Sequence, residues 1–186
     1  MTLTTIHIVN VVAGMTFERR IDKSKVLELP EAEFSLTPNS FNGIILRYKS
    51  PKSVIELFES GSITCNGSKS IEDAKKSIKR CLVNLEKVGI AVPTNPKIKI
   101  HNIVASVNFG MPIRIQDAAL ILQRSIYEPE QFSGIILSVL DPRATILVFS
   151  TGKVVCTGTK NEEDLRKAVS SLKLTLEENK LFKNTD

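Results

Sequence analysis

The sequence predicts an α+β fold built twice from one unit, and three features carry that prediction. Segments recur at a fixed spacing, strand-like runs in each copy are apolar on both faces, and each copy ends in one long amphipathic helical stretch. FNGIIL at Phe41 returns as FSGIIL at Phe132, 91 residues later. SPKSVIELFESGSITCNGSKS returns as DPRATILVFSTGKVVCTGTKN at the same shift, which brings Phe58 onto Phe149. Nearer the front, IHIVNVVAG around Asn10 returns as IHNIVAS around Asn102, 92 residues on. The agreement covers most of the chain, so residues 1–92 and 93–186 are read as pseudo-twofold repeats of one intimate domain, joined near Pro93-Thr-Asn-Pro96.

Each repeat follows one plan. A strand holding the Asn (Ile6–Ala13; Ile100–Val107) leads into a short helical or irregular segment, and an extended strand then starts at the Phe (Phe41–Tyr48; Phe132–Leu140). After a Ser-Pro or Asp-Pro turn come two strands joined by Ser60-Gly61 or Thr151-Gly152. A helix follows Gly67 or Gly158, with Ser70 and Asn161 where an N-cap belongs and Asp73 and Asp164 three residues on. Ala74, Ile78, Cys81, Leu82 and Leu85, and in the second repeat Leu165, Ala168, Val169, Leu172 and Leu176, recur at helical spacing.

One apolar helical stripe per repeat covers one face of an antiparallel sheet and leaves the other open. Period 2 puts Val54, Glu56, Phe58, Ser62, Thr64 and Asn66 on one face and Ile55, Leu57, Ile63 and Cys65 on the other. The second repeat sets Thr145, Leu147, Phe149, Lys153, Val155 and Thr157 against Ile146, Val148, Val154 and Cys156. The Ile/Val/Cys set is the expected core. The face with Phe58, Phe149, Leu147 and Val155 beside Thr and Asn is the expected binding surface.

Composition narrows what that surface can bind. With 186 residues, 42% of them hydrophobic and 24% charged, the chain has the make-up of a globular protein with a real core. Its apolar runs fall far short of the ~20 residues of a membrane span, and MTLTTIHIVNVV lacks the basic region and cleavage site of a signal peptide. Cys65, Cys81 and Cys156 have no metal-ligand spacing and read as reduced core residues of an intracellular protein. A net charge of +5 is compatible with a nucleic-acid partner without establishing one. His7 and His101 lack any partner at catalytic or metal-binding spacing, and no nucleophile–base pair or phosphate-binding Gly loop appears. The chain is therefore expected to be no enzyme, with no cofactor and no metal.

FSTGKVVCTGTK, YEPEQFSG, SPK…LFESG…NGSK and the IVNVV/IHNIV pair resemble the TATA-box-binding protein family, its archaeal branch especially. The resemblance covers nearly the whole chain. It implies a saddle: a curved ten-stranded antiparallel sheet with helices on the convex side and DNA on the concave one. It also implies a general transcription initiation factor that binds the minor groove of A·T-rich promoter DNA and recruits transcription factor B and, indirectly, RNA polymerase. A homodimer is one way for such a saddle to cover its apolar face without DNA. The short N-terminus favours an archaeal cytoplasm over a eukaryotic nucleus.

Carried over position by position, the resemblance makes Phe41 with Phe58, and Phe132 with Phe149, the intercalating pairs. Asn10 and Asn102 become donors to base acceptors, flanked by Val12 and Val104, while Thr157 matches a minor-groove threonine that Asn66 replaces in the first repeat. Leu147 and Val155 meet the groove floor, and Arg47, Lys52, Lys69, Arg143, Lys153 and Lys160 match phosphate-contacting positions. The Tyr127–Phe132 loop corresponds to the segment that binds transcription factor B, through Glu128, Glu130 and Gln131; its counterpart Leu36–Phe41 lacks both acids.

Departures from the family pattern cluster in the first repeat. Glu56 stands where the second repeat has Leu147, Thr64 replaces a valine, and Ser62 replaces the lysine matched by Lys153. In the second repeat Ser138 falls where Arg47 has its counterpart, and Ser133 replaces a common proline. A carboxylate against acceptors and phosphates is repelled and desolvated, so the first repeat is expected to bind DNA more weakly or to prefer a different sequence. A divergent paralogue that regulates transcription by binding protein is the alternative reading.

Overall fold

Strand and helix follow one another in the same order twice. The computed structural model describes residues 5–17, 19–34 and 43–183. The first repeat runs β1 (Ile6–Thr16), α1 (Lys23–Val26), β2 (Ala32–Phe34), β3 (Gly43–Lys49), β4 (Lys52–Phe58), β5 (Ser62–Ser68) and α2 (Ile71–Lys87). The second runs β6 (Lys99–Asn108), α3 (Ile115–Ile121), β7 (Ser125–Ile126), β8 (Ile135–Leu140), β9 (Arg143–Val148), β10 (Lys153–Thr159) and α4 (Glu162–Glu178). By contact the chain divides into two units, Asn10–His101 and Asn102–Asp186 together with Met1–Val9. In each unit the strands pair antiparallel, in the order β2-β3-β4-β5-β1 and β7-β8-β9-β10-β6.

The period-2 reading of β4, β5, β9 and β10 holds residue by residue. Ile55, Leu57, Ile63 and Cys65 are buried, whereas Val54, Glu56, Phe58, Ser62, Thr64 and Asn66 are half-buried. Ile146, Val148, Val154 and Cys156 are likewise buried, opposite half-buried Thr145, Leu147, Phe149, Val155 and Thr157. Helix α2 packs on β5 and β4, and α4 on β10 and β9. The predicted stripes are the buried ones: Ala74, Ile78, Cys81, Leu82 and Leu85 in α2, and Leu165, Ala168, Val169, Leu172 and Leu176 in α4. Full burial of a side chain such as Ile78 or Leu85 contributes about 1.5–3 kcal/mol.

Local signals set the helix starts. The Ser70 hydroxyl accepts from the Asp73 N–H at 3.0 Å, and the Asn161 side-chain oxygen accepts from the Asp164 N–H at 2.8 Å, each satisfying an otherwise orphaned donor. Buried polar groups inside the first repeat pair with one another: Ser53 Oγ donates to Ser77 Oγ (2.8 Å), and Asn84 Nδ2 donates to the Tyr48 hydroxyl (3.3 Å). The β4–β5 and β9–β10 turns require glycine. Gly61 (φ +87°) and Gly152 (φ +84°) adopt left-handed conformations, and an added Cβ would lie 2.2 Å from Phe17 O or Met111 O. Both Ser50-Pro51 and Asp141-Pro142, at repeat-equivalent turns, are cis.

The structure differs from the sequence reading in two respects. The strand expected to start at Phe132 begins at Ile135, because Glu128 O accepts from both the Gln131 and Phe132 N–H groups (2.9 Å each) and holds a turn ahead of it. Strands β2 and β7 carry no periodic signal in the sequence, since three and two residues are too few to show a period. No helix among the described residues is long and apolar enough to cross a membrane.

Candidate nucleic-acid interface

The face of each sheet opposite its long helix is built from cross-strand rows. In the second repeat Ile136, Leu147, Val155 and Ser106 lie side by side from β8 to β6, and Ser138, Thr145 and Thr157 form the next row. In the first repeat the matching rows are Ile45, Glu56, Thr64 and Gly14, then Arg47, Val54 and Asn66. The second-repeat floor is aliphatic with hydroxyls along one side; the first has a carboxylate and a hydroxyl in its centre.

Each repeat holds one asparagine amide in a fixed orientation. Gly67 N–H donates to Asn10 Oδ1 at 2.8 Å, and Gly158 N–H donates to Asn102 Oδ1 at 2.8 Å. These glycine amides are free to do so because the ladder is interrupted there. Pairing jumps from Val11↔Ser68 to Ala13↔Cys65, and from Cys156↔Ala105 to Thr159↔Ile103. Two residues, Asn66-Gly67 or Thr157-Gly158, thus oppose a single valine, Val12 or Val104, as a β-bulge. Gly67 and Gly158 sit at φ +85° and +95°. With each amide oxygen engaged, the NH2 group is the end left for a ligand. In the second repeat Asn102 Nδ2 also donates to Thr157 Oγ1 (3.0 Å), and that hydroxyl lies 3.3 Å from Asn102 Oδ1, so one of the two Nδ2 hydrogens remains for a ligand. Asn10 and Asn102 are half-buried, as are Val12 and Val104 beside them.

Phe132 and Phe149 form an edge-to-face pair with ring centroids 5.7 Å apart, and both rings are half-exposed, not sealed under the helices. Gly134 makes this pair possible: a Cβ there would stand 2.9 Å from the Phe132 ring, 3.0 Å from the Phe149 ring and 3.0 Å from Val148 O. In the first repeat Phe58 is half-buried on the corresponding face and pairs with Gly43 across β3 and β4. Phe41 and the Leu36–Phe41 loop lie outside the described residues.

Cationic side chains surround these faces. Lys52 and Lys69 border the first repeat and Arg143, Lys153 and Lys160 the second, all exposed; Arg47 is exposed on the first-repeat face and engaged. Ser138, in Arg47's place, is exposed, and Ser62, in Lys153's place, hydrogen-bonds Thr16 (3.1 Å). At one end of the second repeat the Glu128 turn presents Glu128, Glu130 and Gln131 to solvent.

The three cysteines, Cys65, Cys81 and Cys156, lie buried in the core as free thiols. Burial pushes the Cys81 thiol up to about 12 and the Cys156 thiol up to about 11, and raises Cys65 as well, so all three stay protonated. No cluster of three metal-ligating side chains occurs among the described residues. The sequence reading missed the Asn–Gly hydrogen bonds and the clearance at Gly134; the repeated T/N-G and F-x-G motifs were their only trace.

Comparison with known proteins agrees with this architecture. The family model described as transcription factor TFIID (or TATA-binding protein, TBP) matches residues 5–88 and 97–179, one match per repeat. The TATA-box-binding protein of Archaeoglobus fulgidus is 41% identical over 170 residues, covering 90% of this chain and 92% of its own. That of Methanothermobacter thermautotrophicus is 40% identical, covering 96% and 98%. The solved structure of Methanococcus jannaschii TBP superposes with a TM-score of 0.83 at 39% identity, over 93% of this chain and 98% of that one. Two matched repeats, near-complete coverage and a shared fold together show that the chain belongs to the TATA-binding protein family of general transcription factors.

Proposed function

We propose that this chain binds the minor groove of A·T-rich, TATA-type promoter DNA, kinks it with its phenylalanines, and recruits transcription factor B and through it RNA polymerase. The observation that carries the reading is the pair of asparagine amides whose oxygens are held by Gly67 and Gly158. Each repeat thereby offers N–H donors, and in the second repeat they stand on a largely aliphatic face. The minor groove at A·T pairs offers only acceptors, the N3 of adenine and O2 of thymine, so a donor-bearing apolar surface complements it. Phe132 and Phe149, half-exposed side by side, have the form of an apolar wedge between base steps. Wedges of this kind unstack and bend duplexes, and the TATA-binding protein is itself a known instance. Lys52, Lys69, Arg143, Lys153 and Lys160, with Arg47, all exposed, are the proposed phosphate contacts.

Glu128, Glu130 and Gln131 are the proposed contacts for transcription factor B. The archaeal source of the relatives fits a cytoplasmic setting, and without DNA the apolar faces are the surfaces through which two copies would pair. A gel-shift titration with A·T-rich and G·C-rich duplexes, with and without transcription factor B, tests the reading. Preferential binding of the A·T-rich duplex that weakens steeply with salt is expected. Equal or absent binding of both duplexes refutes it. Capture of transcription factor B with no duplex bound would instead identify a protein-binding regulator.

A further inference from the structure

One side chain on the first-repeat face has no use in the fold. Glu56 is half-buried in the middle of the sheet, between Ile45 on β3 and Thr64 on β5, with Gly14 beyond. Its repeat counterpart Leu147 lies between Ile136 and Val155. Among the described residues no ion pair or hydrogen bond engages Glu56. The lysine that would balance it is absent too: Lys153's position holds Ser62, whose hydroxyl is turned to Thr16. Three differences between the repeats thus act in one direction. Glu56 for Leu147, Thr64 for Val155 and Ser62 for Lys153 replace an aliphatic floor and a cation by an acceptor-only carboxylate with hydroxyls beside it.

The carboxylate has no partner on an A·T floor, where the polar base atoms exposed are also acceptors. Burying the carboxylate there would leave it unpaired. The minor groove has one donor, the N2 amine of guanine. β4 is flanked on both sides by paired strands, so Glu56 does not sit at an edge from which it could turn away from a duplex covering this face. We infer that Glu56 accepts a hydrogen bond from the N2 amine of a guanine, so that the DNA site includes a G·C pair within the stretch bound by the first repeat. This rests on the minor-groove reading above. Leu147 makes the opposite demand, since an alkyl group would strip that amine of water without replacing the bond. Only one repeat carries the acceptor, so the G·C pair also fixes which way the protein faces along a nearly symmetric site.

The test walks a single G·C pair, one position at a time, through a short A·T duplex and measures affinity by fluorescence anisotropy. Each position is repeated with inosine·C, which lacks the N2 amine, and with 2,6-diaminopurine·T, which adds it to an otherwise A·T pair. At one or two adjacent positions in one half of the site, the amine-bearing pairs are expected to bind on the order of tenfold tighter than their amine-free counterparts. Glu56→Leu should abolish that preference and raise affinity for the all-A·T duplex, because the unpaired carboxylate is gone. Leu147→Glu should create a second preferred position in the other half. Binding with no amine preference at any position, or a preference that survives in Glu56→Leu, overturns the inference and leaves the minor-groove reading intact. Failure to bind any of the duplexes, the all-A·T one included, overturns both.

Discussion

Replacing Gly134 by alanine tests whether the phenylalanine pair of the second repeat is held by close packing. The added methyl would stand 2.9 Å from the Phe132 ring, 3.0 Å from the Phe149 ring and 3.0 Å from Val148 O. The two rings can rotate, but Val148 belongs to β9 and pairs directly with Ile135, the first residue of β8. Neither strand can withdraw without breaking the ladder, so the rings must move. Overpacking of this kind costs about 1–3 kcal/mol, which lowers the melting temperature of a domain this size by about 2–12 °C. Loss of the edge-to-face contact accounts for about 0.5–1.5 kcal/mol of that. Circular dichroism melts of Gly134→Ala, Phe132→Leu and the double variant measure it. Because leucine lacks the ring edge that the methyl meets, the double variant should be more stable than the sum of the singles by about 0.5 kcal/mol or more. Affinity for A·T-rich duplex should fall in Gly134→Ala, as the wedge is displaced. An unshifted melt, or strict additivity, would refute the packing argument.

Three further outcomes follow from the same geometry. Asn102→Asp keeps an acceptor for the Gly158 N–H but removes the amide donors; its melt should stay near that of the parent, while anisotropy shows affinity for A·T-rich duplex reduced by about 10- to 100-fold. The folded-state pKa values of Cys81 and Cys156 are raised from 9.0 to about 12 and about 11. The unfolded thiols therefore ionise first, and the stability from keeping them neutral is complete below pH 9 and is lost as pH rises from 9 toward 12. Urea denaturation across that range should show a falling midpoint, with a shallower fall in a Cys81→Ala, Cys156→Ala variant. Reversing charge at Glu128 and Glu130, both to lysine, should abolish the ternary complex with transcription factor B in a gel shift while leaving binary DNA binding in place, because the turn carrying them is closed by the Gln131 and Phe132 N–H groups donating to Glu128 O, which the substitutions keep.

Much of this protein is determined by sequence alone because its signals are local. Strand parity depends only on alternation, so alternation by itself assigns Ile55, Leu57, Ile146 and Val148 to the core and Phe58 and Phe149 to the open face. The helix stripes and the caps at Ser70 and Asn161 obey the same logic within one or two turns. The repeat made Glu56 conspicuous by setting it against Leu147. Tertiary structure alone decided what depends on residues far apart in the chain. The register jump that presents the Gly158 N–H to Asn102, 56 positions away, is set by how β6 and β10 pair, not by either segment. The clearance at Gly134 exists only once β8 lies against β9, and Glu56 is seen to lack a partner among the described residues only when its neighbours on β3 and β5 are in place. Local preference writes the elements and their faces; the orientation of an amide and the isolation of a charge are properties of the assembled sheet.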